Sequence, residues 1–115
     1  MKQFTKISLS DIPLEDAHGG SGKRKVLVNP EDITSNHLEL VTKAFLGAGS
    51  SFDWHSHEDV DEIFIVLKGH GKFYCENEET FYKEDDVFSI HANAKHKITA
   101  EGNSPSEFYF VRIKV

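Results

Sequence analysis

Turn-forming residues interrupt this chain every eight to twelve positions, and no stretch of ten or more residues spaces its apolar side chains for an amphipathic helix. That combination leaves an all-β fold of short strands, roughly nine to eleven of them, arranged as a sandwich or barrel. Residues 4–9 alternate as an edge strand. Residues 11–25, which hold Pro13, Gly19, Gly20 and Gly22, read as a long mobile loop. A short strand follows at 26–28, stopped by Pro30, and residues 29–36 have room for one helical turn. Residues 38–46 form a longer strand, and Gly47 to Ser51 turn the chain into a histidine-containing segment. The apolar run at 63–68 reads as a strand buried on both faces. Gly69, His70 and Gly71 make a corner, 72–76 return, and Asn77, Glu78 and Glu79 make a hairpin turn. Further strands are expected at 80–83, 87–90, 96–100 and 107–115.

At 115 residues the chain is one domain's worth of protein, enough for a single modest core. Residues 1–37 supply N-terminal strands and loops, 38–100 the motif-bearing core and 101–115 the C-terminal strand. An apolar share of 38% with 28% charged residues argues against disorder. The formal charge of −6 disfavours nucleic acid as a partner. The one basic cluster, Lys23-Arg24-Lys25, reads as a solvated loop. An anionic small molecule stays within reach, because a metal and one buried Arg can dominate a pocket locally. The lone Cys75 excludes an internal disulfide and reads as a small core residue. The N-terminus lacks an apolar signal core, and no run approaches the ~20 residues of a membrane span. A cytoplasmic protein without a membrane partner is the default expectation.

The residues that carry chemistry are His55, His57, Glu62 and His96. Two histidines separated by one residue project to the same face of a strand. Glu62 comes after a short bend and opens the apolar run, from which its carboxylate can swing toward both imidazoles. His96 opens another strand and can approach from across the barrel. Taken singly, each has a plain reading as a surface or strand-end polar residue. Together, three imidazoles and one carboxylate make a mixed N/O site for one divalent Fe, Mn, Ni, Cu or Zn ion, with positions left open for a ligand.

The frame around them is Gly49-x5-His55-x-His57-x4-Glu62-x6-Gly69. It resembles the first motif of the cupin superfamily, with the spacing kept at every position. The superfamily's second motif, G-x5-P-x-G-x2-H-x3-N, has Asp85, His91, Asn93, His96 and Ala100 in its places here, so only the histidine is retained. Asp85 can serve a turn, and Asn93 tolerates the left-handed backbone that Gly would supply. The resemblance spans roughly residues 38–100. It implies a conical jelly-roll β-barrel with two antiparallel sheets, a metal in its wider mouth, and frequent homodimerisation.

Around the metal, a Glu62 that faces inward takes Phe64 and Val66 with it, as pocket lining or as plain core. On the last strand Phe108, Phe110 and Arg112 share one face, while Tyr109, Val111 and Ile113 share the other. With the first face inside, Arg112 anchors a substrate carboxylate; with the second inside it is a surface charge, the preferred reading of the two. His91 is either a pocket residue near the metal or a loop histidine. His18, His37 and His70 lack partners at useful spacing. The function expected is a small metalloenzyme acting on a polar or carboxylated molecule that coordinates the metal. The resemblance admits dioxygenase, decarboxylase or lyase, and sugar isomerase chemistry. The alternative is a non-catalytic cupin that binds a small molecule.

Overall fold

The computed structural model describes residues 3–17 and 22–115, so that His18, Gly19 and Gly20 lie outside the described residues. Ten strands follow in order: β1 (Glu15–Asp16), β2 (Lys23–Val28), β3 (Leu38–Leu46), β4 (Ser51–His55), β5 (Val60–Lys68), β6 (His70–Cys75), β7 (Glu78–Tyr82), β8 (Val87–Ile90), β9 (His96–Glu101) and β10 (Ser106–Lys114). They make a six-stranded sheet, β1-β2-β3-β10-β5-β8, and a four-stranded sheet, β4-β9-β6-β7. The sheets pack face to face as a jelly roll and remain two separate sheets rather than one closed barrel. The expected helical turn is a single 3-10 turn at Pro30–Asp32, capped by Asn29. No described helix is long and apolar enough to cross a membrane.

The core lies between the sheets because each strand turns alternate side chains inward. Leu46, Phe64, Val66, Ile90 and Phe108 come from the larger sheet; Phe52, Phe73, Tyr82, Ile98 and Ala100 come from the smaller. Phe64 stacks on Phe88 with ring centroids 4.6 Å apart and meets Phe108 edge-on at 5.8 Å. The hydroxyls of Tyr82 and Ser106 share a buried 2.7 Å hydrogen bond that links the two sheets. Gly71 permits this contact: a Cβ there would lie 2.0 Å from the Thr99 carbonyl and 2.8 Å from the Tyr82 hydroxyl.

Three sequence expectations need correction. Residues 4–9 form no strand; Phe4 and Ile7 are exposed, and the chain enters a 3-10 turn at Leu9–Asp11. Alternation alone makes no strand where no sheet edge offers it a ladder. Residues 11–25 are not loop throughout, since β1 pairs with the start of β2, Glu15 opposite Arg24 and Asp16 opposite Lys23. Finally, β5 is buried on one face only. Val60, Glu62, Phe64 and Val66 are buried, while Ile63, Ile65 and Leu67 are half-buried, because no second layer among the described residues covers the outer side of the larger sheet. The turn residues behave as expected: Asp85 and Asn93 both take positive φ, 72° and 71°.

Candidate metal centre

Four elements deliver the cluster. His55 ends β4 and sits opposite His96, the first residue of β9, so the sheet ladder itself sets these two rings side by side, with centroids 4.3 Å apart. His57 lies just beyond β4, its ring 5.0 Å from that of His55 and 5.7 Å from that of His96. The His57 carbonyl accepts from the Asn93 backbone N–H at 3.0 Å, and the Asn93 side chain accepts from the Asp59 N–H at 3.1 Å. This left-handed turn therefore fastens the loop before His96 to the loop after His57. Glu62 reaches in from β5 on the opposite sheet. One ligand atom from each of His55, His57, Glu62 and His96 lies within 4.8 Å of every other.

Two of the three histidines are held in the same way. The Nδ1 of His55 contacts the Asp53 carbonyl at 2.6 Å, and the Nδ1 of His96 the Ala94 carbonyl at 2.9 Å. A carbonyl only accepts, so both rings carry their proton on Nδ1 and turn the Nε2 lone pair inward, the orientation that ligating histidines use. Burial of the His55 ring disfavours its charged form and lowers its pKa, in spite of the Asp53 carbonyl.

Glu62 is 3% exposed. Burial alone would raise its pKa, but in the acid range where a carboxyl titrates the protonated rings of His57 and His96 beside it outweigh that and hold it well below the usual carboxylate range. Its Oε2 lies 3.4 Å from His57 Nε2 and accepts from Arg112 Nε at 3.1 Å. Its Oε1 stands 3.2 Å from His96 Nε2 without hydrogen-bond alignment, and both atoms are buried with no partner. Leaving such atoms unpaired is costly. A divalent cation among the four residues satisfies both at once, and imidazole with carboxylate is the donor set of transition metals. The residues fit a metal ion.

Arg112 belongs to this site, which overturns its preferred placement as a surface charge. The inward face of β10 is the one carrying Phe108, Phe110 and Arg112. Register decides this: Arg112 pairs with Glu62 on β5 and Phe110 with Phe64. The guanidinium donates through Nε to Glu62, through Nη1 to Glu39 at 3.3 Å and through Nη2 to His57 Nε2 at 3.3 Å.

A cavity of about 40 Å³ adjoins the cluster, lined by His55, Glu62 and His96, by Thr42, Arg24 and Arg112, and by an apolar wall of Ala17, Ala44, Phe52, Ile98 and Phe110. Phe64 faces inward but is fully buried in the aromatic core and is not among the lining residues. His91 is exposed on the loop before His96 and also lies outside the lining.

Sequence reasoning missed Arg24, Glu39 and Thr42. Arg24 is no solvated loop residue: it is on β2 with its side chain only 17% exposed. Its position two residues before Val26 was the available signal, since alternation puts both on one face. For Glu39 no local signal exists.

A family model for the cupin domain matches residues 44–112, a span that includes all four cluster residues and Arg112. An oxalate-binding protein of Thermotoga maritima is 29% identical over 101 residues, covering 87% of this chain and 84% of its own. The crystal structure of a predicted oxalate decarboxylase from Thermotoga maritima superposes with a TM-score of 0.87 at 28% identity, over 96% of this chain and 100% of that one. A cupin protein of Bacteroides fragilis gives a TM-score of 0.77 at 24% identity over 100% of this chain and 87% of its own, a likeness of fold alone. The chain belongs to the cupin family.

Proposed function

We propose that His55, His57, Glu62 and His96 hold one divalent transition metal ion, and that the protein uses it to bind a small carboxylate-bearing molecule of the oxalate type. The observation that carries this reading is the pair of buried, partnerless atoms, Glu62 Oε1 and His96 Nε2, on the wall of a cavity that also holds a guanidinium. An ion held there supplies a Lewis acid for the ligand's oxygens. Arg112 supplies the fixed positive charge beside it. Its Nη2 leans on His57 Nε2, the nitrogen His57 would use for ligation, so that donor becomes available to a ligand carboxylate once His57 is otherwise engaged. Likeness to an oxalate-binding protein supports the choice of ligand class.

Catalysis at the same centre, of dioxygenase, decarboxylase or lyase, or isomerase type, is the second reading. It is favoured by the cluster's position on a cavity wall, since catalytic metal sites keep an open side where structural ones are closed. Homodimerisation is a companion proposal, supported by the half-buried Ile63, Ile65 and Val111 on the uncovered face of the larger sheet; light scattering on the purified protein tests it.

Elemental analysis of the purified protein, followed by calorimetric titration with oxalate before and after chelation, tests the main reading. We expect about one metal ion per chain and oxalate binding that chelation abolishes. Equal oxalate affinity in the chelated protein would overturn it. Consumption of oxalate by the loaded protein selects the catalytic reading.

A further inference from the structure

Arg24 lines the same cavity as the cluster but stands far from it along the fold. On β2 it pairs with Ala44, whereas Arg112 on β10 pairs with Leu40 of the same central strand, β3. Four residues of β3 separate the two positions, roughly 13 Å of strand. Midway between them Thr42 pairs with Phe110, and both line the cavity together with Ala44, Phe52 and Ile98. The cavity therefore has a guanidinium toward each of two ends, with one threonine and several apolar side chains on the wall between them. Among the described lining residues, Arg24 and Arg112 are the two with a permanent positive charge.

The surroundings of Arg24 suit ligand exchange. Its side chain is 17% exposed, and Nε donates to Glu15 Oε1 at 2.9 Å. Glu15 lies on β1, the outermost strand of the larger sheet, with its side chain 49% exposed. An ion pair at such an edge is weak and readily exchanged. Glu15 takes the Nε donor, and a guanidinium has four further N–H groups arranged to grip a second carboxylate.

We infer that Arg24 is a specificity-determining residue that recognises a second, distal carboxylate, so that this site takes a short dicarboxylate. Glu15 is the counter-ion of Arg24 while the ligand is away. The inference rests on the carboxylate-binding reading above and narrows its ligand class.

The test is calorimetry on the metal-loaded full chain, comparing succinate with butyrate, which has the same carbon number but one carboxylate. The wild-type protein should bind succinate at least about tenfold more tightly, the scale of one charge-assisted contact. Arg24→Gln should collapse that ratio by weakening succinate, with metal content unchanged by elemental analysis. Arg24→Lys, which keeps the charge and loses the fork, should retain part of it. Removing the competing carboxylate by Glu15→Gln should tighten succinate a few-fold. A succinate-to-butyrate ratio that is the same in Arg24→Gln as in wild type, or a wild type without preference, overturns the role of Arg24 alone. A folded, metal-loaded wild type that binds neither oxalate, succinate nor butyrate overturns the carboxylate reading with it.

Discussion

Glu62 Oε1 and His96 Nε2 face each other across 3.2 Å, one from each sheet, buried and without hydrogen-bond partners. Two unpaired polar atoms at the junction of the sheets are a local weakness that a cation removes. Metal binding should therefore register as stability. At a free metal concentration one hundred times Kd the gain is about 2.7 kcal/mol, which for a domain of this size raises Tm by roughly 10 °C. Thermal melts of the chelated protein with and without added Zn²⁺ or Mn²⁺ measure it. Glu62→Ala and His96→Ala should each abolish the metal-induced rise; a rise retained in both variants would refute the ligand assignment.

Acid should destabilise the metal-free protein in two stages. Burial lowers the pKa of His55 below its ordinary 6.5, so the unfolded chain takes up that proton first. Stability present above about pH 6.5 is then lost as pH falls below that value. Glu62 repeats the pattern lower down. Its folded-state pKa lies far below the ordinary 4.5, so its contribution is present above that value and fades as pH falls further. Urea midpoints of the chelated protein measured from about pH 8 to about pH 4 should decline first near the histidine range. His55→Gln should flatten that first decline, and a wild-type midpoint constant from about pH 7.5 to about pH 5 would contradict the shift assigned to His55.

How far the site could be read in advance follows the sequence distance between its parts. His55, His57 and Glu62 lie within eight residues, so strand geometry and one bend decide where they point. His96 and the left-handed Asn93 were legible because a turn before a strand is also local. Arg112 was not. Its face depends on the pairing of β10 with β5, which sets it beside a residue fifty positions earlier, and a register shift of one residue would have turned it outward. Arg24 escaped for a related reason, since the strand that holds it exists through pairing with β1 and β3. Residues 4–9 err in the opposite direction: they have the alternation of a strand and no ladder to join.

Phe64 illustrates how alternation names a face without saying what fills it. The ring is fully buried against Phe73, Phe88, Phe108 and Phe110. Phe64→Ala should cost about 3–5 kcal/mol through the cavity it leaves, seen as a fall in the urea midpoint. The milder Phe64→Leu should lower stability while keeping metal stoichiometry at the wild-type value. The exposed His91 provides the contrast: His91→Ala should move neither stability nor metal content measurably. Loss of metal in His91→Ala would place that ring at the centre after all.

Arg112 is held by three acceptors at once, Glu62, Glu39 and His57, and each takes a different nitrogen of the guanidinium. A lysine at this position keeps the charge but has one nitrogen at the end of a flexible stem, and it cannot hold that fork. If charge alone mattered, Arg112→Lys would bind oxalate as the wild type does. If the oriented N–H groups matter, affinity should fall about tenfold or more while metal content stays the same. Glu39→Gln separates orientation from contact. The Glu39 side chain touches the guanidinium and is not among the cavity-lining residues, so its loss should weaken oxalate binding by a smaller factor, about two- to fivefold. Calorimetric titrations of wild type, Arg112→Lys and Glu39→Gln with oxalate, all metal-loaded, give the three affinities. An unchanged affinity in Arg112→Lys would reduce the role of Arg112 to that of a point charge.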